Sequence, residues 1–232
     1  MKNPSKSLIT SPSPKVSDDA KATLSPAKAT LSPDEALNRL IQGNLRFASG
    51  LRSVNTLIDI VRLKELAMKG QRPFTIILTC SDSRLPTETV FDCGLGDLYV
   101  LRIAGNTLSD IFLAGIEYAV QFFSTPLCVV LGHTGCGAIQ ATYDQLKDAT
   151  LSPPSSNIRS LLNSIAAGKK LPKNPNELAW DNIRRNVQRI QNESQLIRDR
   201  VKEKRLRVVG GIYELSQGLV IFDPVGKTKL AV

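Results

Sequence analysis

Phe74-Thr75-Ile76-Ile77-Leu78-Thr79-Cys80 is the stretch that decides the fold, because six apolar or β-branched residues in a row end at a cysteine. Leu127-Cys128-Val129-Val130-Leu131-Gly132-His133 has the same design and ends at the only histidine of the chain. Continuous apolar runs of this length are typical of buried strands in a parallel sheet. Ligands of such sheets collect outside the carboxyl ends of the strands. We therefore expect both segments to deliver their last side chains to one edge of one sheet.

The rest of the chain alternates strand-like and helix-like segments. Further strands are predicted at 98–102, at 207–209 and in a last pairing of 212–213 with 219–222. Helices are predicted from 32 to 50, 57 to 68, 110 to 123, 136 to 147, 158 to 166 and, as one long basic helix, 176 to 204. This alternation predicts an α/β fold with a mostly parallel sheet, about four parallel strands plus one antiparallel edge strand, flanked by helices.

The first 32 residues have a different composition from the rest. They are rich in Ser, Pro, Lys, Ala and Thr, and Lys21-Ala22-Thr23-Leu24-Ser25-Pro26 recurs seven residues later. This pattern is typical of a disordered low-complexity tail. Ser32 followed by Pro33 and Glu35 is the signature of a capped helix start. We therefore interpret 1–32 as a tail and 33–232 as one folded domain.

Composition narrows the class of protein further. The 232 residues suffice for one well-buried domain, and no run approaches the ~18 apolar residues of a membrane span. The tail lacks the apolar core of a secretory signal, so a cytoplasmic location is expected, with the periplasm left open for a processed chain.

The net charge is +9, and residues 184–207 hold nine Lys or Arg against three Asp or Glu. Such a run usually forms a solvated face, and it lacks interleaved aromatic residues, so nucleic-acid binding is not favoured.

Two short motifs carry the candidate chemistry. Cys80-Ser81-Asp82-Ser83-Arg84 and Gly132-His133-Thr134-Gly135-Cys136-Gly137 together offer two thiols, one imidazole, and a carboxylate beside a guanidinium. Two Cys and one His suit Zn²⁺, and three protein ligands leave a fourth position open, as in catalytic zinc sites. The four cysteines lack the regular spacing of a disulfide framework. Cys128 is expected in the core, and Cys93 as a third thiolate ligand is less favoured.

These motifs resemble those of the β-class carbonic anhydrases of the bacterial and cyanobacterial type. The resemblance runs from about Leu37 to the C-terminus. Besides the two motifs above, it rests on Gly43-Asn44-Leu45-Arg46-Phe47, Arg102-Ile103-Ala104-Gly105-Asn106, Ile116-Glu117-Tyr118-Ala119 and Val209-Gly210-Gly211-Ile212-Tyr213.

The resemblance implies a set of roles and an assembly. It implies one zinc per chain with the ligands Cys80, His133 and Cys136, and a catalytic dyad of Asp82 and Arg84. It also implies a substrate pocket lined by Gln71, Tyr99, Ala104 and Tyr118. The implied assembly is a homodimer or a higher even-numbered oligomer, in which the helix from Ser32 to Gly50 would pack across a partner subunit.

The implied reaction is the reversible hydration of CO₂ to bicarbonate and a proton. Asp82 would accept a hydrogen bond from the attacking water, and Arg84 would keep Asp82 ionised, since an opposite charge nearby lowers a carboxyl pKa. In the bicarbonate-gated subclass of the family a Trp stands three residues before the first Cys ligand. Ile77 occupies that position here, so the non-allosteric subclass is favoured.

Two alternatives remain at the level of sequence. A hydrolase of carbon disulfide or carbonyl sulfide on the same scaffold would use the same residues, and the motifs do not separate it from a carbonic anhydrase. A non-catalytic zinc-stabilised module that binds a partner through its basic helix and tail belongs to another class. Such a module would be expected to lose Asp82 or Arg84, and both are present.

Overall fold

The computed structural model describes residues 31–51, 60–167 and 170–223. The predicted tail lies outside the described residues apart from Leu31 and Ser32, as do residues 57–59 of the second predicted helix. The helices are α1 (Pro33–Ala48), α2 (Ile60–Lys69), α3 (Thr87–Val90), α4 (Asp110–Phe123), α5 (Gly137–Lys147), α6 (Ser156–Ala166), α7 (Pro175–Glu193) and α8 (Gln195–Lys202), with a 3₁₀ turn at Ala104–Asn106. The strands are β1 (Thr75–Thr79), β2 (Leu98–Arg102), β3 (Leu127–His133), β4 (Arg207–Glu214) and β5 (Leu219–Phe222).

The strands form one sheet in the order β2-β1-β3-β4-β5. The first four are parallel to one another, and β5 pairs antiparallel with β4 at the edge. The predicted fold class is confirmed. Every residue of β1 and β3 is buried, as the two apolar runs predicted. In their register Ile76 lies opposite Cys128 and Thr79 opposite Leu131, so both strands end at the same edge of the sheet.

Helix α1 begins with the predicted capping box. The Ser32 hydroxyl accepts from the Glu35 N–H at 3.3 Å, and the Glu35 carboxylate accepts from the Ser32 N–H at 2.7 Å. The buried side chain of Asn44 ties α1 to the hairpin of β4 and β5: it donates to the Gly218 carbonyl at 2.9 Å and accepts from the Val220 N–H at 2.8 Å. These bonds fix the helix on the edge of the sheet.

Two sequence predictions were wrong in detail. The long basic helix predicted from Asn176 to Lys204 is two helices, because Ser194 has extended backbone and caps α8 by accepting from the Ile197 N–H. Strand β4 does not stop at Val209 but continues through two glycines to Glu214. A Cβ on Gly210 would lie 2.6 Å from Ile183 of α7, so the glycine lets this helix pack directly on the strand.

The described residues contain no helix that is both long and apolar enough to cross a membrane.

The contact between α1 and the end of α3 depends on Gly43. A Cβ at this position would lie 1.9 Å from the Phe91 carbonyl oxygen, which is backbone and has little room to move. We expect Gly43→Ala to lower the free energy of unfolding by at least about 3 kcal/mol, at the upper end of overpacking costs. Gln42→Ala, at the neighbouring exposed position, should change it by less than about 0.5 kcal/mol. Chemical denaturation of both variants is the measurement, and equal stabilities would contradict the close contact.

Candidate active site

The two sequence motifs meet at the carboxyl edge of β1 and β3. Cys80 directly follows β1, His133 is the last residue of β3, and Cys136 is the N-cap of α5. Between the two ligands of the second motif the chain turns at Gly135, whose φ of +64° is in the left-handed region that favours glycine. The side chains of all three residues are buried, and their ligand atoms lie within 4.8 Å of one another. The expected convergence of the motifs is confirmed.

The spacing of the sulfurs fits a tetrahedral zinc ion. The two Sγ atoms of Cys80 and Cys136 are 3.9 Å apart. Two thiolates that each bind a tetrahedral zinc at about 2.3 Å would be about 3.8 Å apart. The donor set of two sulfurs and one imidazole nitrogen is also one that zinc prefers over the oxygen-seeking cations.

The imidazole of His133 is oriented for metal binding. Its Nδ1 lies 2.9 Å from the carbonyl oxygen of Thr134, so Nδ1 carries the proton and donates it. Nε2 is buried, and within the described parts of the chain it has no hydrogen-bond partner. A buried nitrogen with a free lone pair is costly unless something binds it. A metal ion beside the two sulfurs would satisfy it, and the backbone bond to the other nitrogen is the usual support of a histidine ligand.

The four cysteines fall into two groups: Cys80 and Cys136 contact each other in the cluster, whereas Cys93 and Cys128 lie apart from it. Contact with the Cys136 thiol lowers the pKa of Cys80, and N–H donation from Gly105 at 3.4 Å acts in the same direction. The same contact raises the pKa of Cys136. By contrast, burial raises the pKa of Cys93 and of Cys128 to about 12. Cys128 lies in the core as predicted, and Cys93 bonds the Phe91 carbonyl rather than joining the ligands.

Asp82 and Arg84 form a forked ion pair at the mouth of the site. Arg84 donates from Nε to Oδ1 at 2.9 Å and from Nη2 to Oδ2 at 2.7 Å. These bonds hold the pKa of Asp82 well below its usual range. Asp82 Oδ2 lies 3.8 Å from His133 Nε2, so the carboxylate faces the position that a metal would occupy.

Two further contacts fix the loop that carries this pair. Arg102, at the end of β2, donates to the Asp82 carbonyl at 2.7 Å, and Arg84 also donates to the Gly135 carbonyl at 3.1 Å. The second bond joins the two motifs directly. Sequence reasoning did not assign either contact, although the place of Arg102 at a strand end beside the first motif was a usable signal.

Three of the four expected pocket residues lie away from the metal ligands within one chain. Gln71 is exposed and precedes β1, whereas Cys80 follows it, and five strand residues span about 16 Å. Tyr99 stands near the start of β2, opposite Ile76. Tyr118 is 49% exposed and packs with Phe122, with ring centroids 4.6 Å apart.

The fourth expected pocket residue, Ala104, is placed differently. It begins the 3₁₀ turn whose next residue, Gly105, bonds Cys80, and so it lies at the metal-ligand edge. The chain therefore brings together Cys80, His133, Cys136, Asp82, Arg84 and Ala104, and it places Gln71, Tyr99 and Tyr118 towards the other edge of the sheet.

Comparison with known proteins agrees with this geometry. The sequence model of the carbonic anhydrase family matches residues 75–220. Carbonic anhydrase 2 of Mycobacterium tuberculosis is 34% identical over 197 residues, which cover 82% of this chain and 93% of that protein. The solved structure of the β-carbonic anhydrase CcaA matches with a TM-score of 0.61 at 26% identity, over 82% of this chain and 96% of the other.

A third comparison concerns the fold alone. Tetrameric β-carbonic anhydrases from Sordaria macrospora match with a TM-score of 0.57 at 24% identity, over 69% of this chain and 84% of theirs. The family match spans both candidate metal motifs and four of the strands that place them, together with part of the fifth. From the site, the sheet and these relatives together it follows that the chain is an enzyme of the carbonic anhydrase family, β class.

Proposed function

We propose that this enzyme catalyses the reversible hydration of CO₂ to bicarbonate and a proton, with one zinc ion per chain held by Cys80, His133 and Cys136. The observation that carries the proposal is the buried Cys-His-Cys cluster, in which His133 Nε2 has no hydrogen-bond partner among the residues that the structure describes. When bound, zinc supplies Lewis-acid activation of a water molecule, whose pKa falls from 15.7 towards about 7 in well-studied sites.

Asp82 has the role of orienting that water. Its carboxylate is a hydrogen-bond acceptor that the Arg84 fork keeps ionised and fixed in direction. A water that donates one hydrogen to Asp82 keeps a lone pair directed away from the carboxylate, towards CO₂. The bonds from Arg102 and to Gly135 hold the Asp82 loop, so little reorganisation is needed as charge develops.

A second copy of the chain would complete the pocket. CO₂ is small and apolar, and Ala104 is the one expected pocket residue that its own chain places beside the ligands. Gln71, Tyr99 and Tyr118 would then reach the site of a partner subunit, which makes a dimer the smallest active unit.

Exposed apolar side chains support such an assembly. Ala36 and Leu40 of α1 are buried in their own chain, but Leu45 is 46% exposed. On α2 the exposed large apolar residues are Ile60, Val61, Leu63 and Met68. The related Sordaria macrospora enzymes are tetramers, which is also an even-numbered assembly of chains.

The proposed metal site predicts which cysteine binds zinc. Cys136→Ala should lose most of the zinc that the wild-type protein holds at one ion per chain, because two ligands rarely retain the ion. Cys128→Ala is the matched control, since Cys128 is also a buried cysteine but lies outside the cluster, and it should keep full zinc content. Elemental analysis after dialysis measures both. Equal zinc content in the two variants would refute the ligand assignment.

The proposed reaction predicts the effect of removing one charge. Asp82→Asn keeps the shape of the side chain but abolishes the ionised acceptor, so kcat for CO₂ hydration should fall by at least about 10²-fold. Zinc content should stay near one per chain. Asp144→Asn, two turns into α5, is the control and should keep wild-type kcat.

Stopped-flow hydration assays on zinc-replete protein decide the outcome of that substitution. An unchanged rate for Asp82→Asn would make Asp82 structural. A wild-type enzyme that hydrolyses carbonyl sulfide but does not hydrate CO₂ would instead support the alternative activity.

The proposed reaction releases a proton, and the way this proton leaves predicts that turnover depends on buffer concentration. His is the side chain whose ordinary pKa suits proton transfer near neutral pH, and the only His is buried in the cluster with Nδ1 already bonded. Asp82 is too acidic to accept the proton efficiently. Turnover should therefore rise with imidazole buffer concentration at fixed pH and ionic strength, while kcat/KM changes little. A turnover that is flat across buffer concentrations would reveal an internal relay.

A further inference from the structure

The 3₁₀ turn beside Cys80 has an unfavourable backbone. Gly105 and Asn106 both have positive φ, at +66° and +44°. Glycine adopts this region freely, but for the asparagine it carries a cost, so surrounding contacts must hold the turn. The conformation matters because the Gly105 N–H donates to Cys80 Sγ at 3.4 Å. If the turn relaxed, this bond to a ligand sulfur would be lost.

Helix α7 supplies those contacts from one face. Asn182 Nδ2 donates to the Gly105 carbonyl at 2.8 Å, and Asn186 Nδ2 donates to the Asn106 carbonyl at 3.0 Å. Arg189 Nη1 donates to the Leu108 carbonyl at 3.0 Å. The three donors stand at positions i, i+4 and i+7, which lie on one stripe of a helix. Both asparagines are at most 1% exposed.

The amide of Asn182 is locked in one orientation. Its Oδ1 accepts from Arg185 Nη2 at 2.8 Å and from Asn186 Nδ2 at 3.3 Å, so Nδ2 must be the atom that faces Gly105. Arg185 is itself anchored, because it donates to the carbonyls of Ser164 and Ile165 at the end of α6, both at 2.8 Å. The donor to Gly105 is therefore preorganised.

We propose that Asn182 is a positioning residue for the metal centre. It holds the Gly105 carbonyl and thereby directs the Gly105 N–H at Cys80 Sγ, so that this sulfur is oriented before metal binds and its lone pair is stabilised afterwards. The inference rests on the proposed zinc site. Outer-shell partners of metal ligands commonly change metal affinity by 10–100-fold.

A pair of matched variants tests the role. Asn182→Leu removes the donor to Gly105 and keeps the number and branching of the side-chain heavy atoms. Asn44→Leu removes a similarly buried amide on α1, whose targets, the carbonyls of Val90 and Gly218, lie outside the turn beside Cys80. Both should lower the melting temperature, because both leave a carbonyl unbonded. Only Asn182→Leu should raise the zinc Kd, by about 10–100-fold in competition with a chelator.

The cobalt-substituted protein provides a spectroscopic readout. Loss of the N–H···S bond raises the energy of the sulfur lone pair, so the thiolate-to-Co²⁺ charge-transfer band should move to longer wavelength in Asn182→Leu. The band should stay in place in Asn44→Leu. Asn182→Asp is the second variant, for use if the leucine variant does not fold. It keeps the acceptor for Arg185 but replaces the amide nitrogen by oxygen, so its charge-transfer band should show the same shift. In ¹¹³Cd-substituted wild-type protein, the Gly105 amide proton should show a scalar coupling to the metal through Cys80.

The outcomes separate two kinds of failure. A wild-type protein that binds no zinc would overturn both the proposed function and this role. If the wild type binds zinc and the Asn182 variants have the same zinc Kd and the same band position as the wild type, the positioning role alone is overturned. Absence of the Gly105 coupling in the cadmium protein, or an equal rise in Kd for Asn44→Leu, would overturn it as well.

Discussion

The parallel pairing of β1 and β3 is the constraint on which the rest of the structure depends. Because the two strands run side by side and end at the same edge, the residues after them meet although more than fifty positions separate them in sequence. An antiparallel pairing would place Cys80 and His133 at opposite edges of the sheet. The apolar sequences of both strands enforce the arrangement, since every residue in them is buried. Burial of the strands thus determines the chemistry at their ends.

Around that edge the structure uses backbone atoms as much as side chains. The Thr134 carbonyl sets the tautomer of His133, the Gly105 N–H bonds Cys80, and the Gly135 carbonyl accepts from Arg84. Each of these groups lies in a turn, where backbone donors and acceptors are not used by helix or strand. The turns between regular elements therefore form the lining of the metal centre, and their glycines allow the chain to come close.

Sequence reasoning succeeded where a local pattern has one physical meaning. Buried strands followed from unbroken apolar runs, and the start of α1 followed from Ser32 and Glu35. It failed at Ser194, because a serine inside a helical pattern gives no signal that it will cap a new helix. It also missed Asn182, since the value of a buried amide depends on which backbone groups lie opposite it in three dimensions. A count of charges in the basic segment 184–207 likewise does not show that Arg184, Arg189 and Arg207 bond to groups of the same chain.

The placement of Tyr99 and Tyr118 near the edge of the sheet opposite Cys80 has a genetic consequence. With the pocket completed by a second copy, as proposed, each chain gives metal ligands to one site and aromatic walls to another. Two inactive alleles, one altered at a ligand and one at a wall, would then combine to form one intact site in a mixed dimer. Defects at the two edges of the same sheet would complement each other, whereas two defects at the same edge would not.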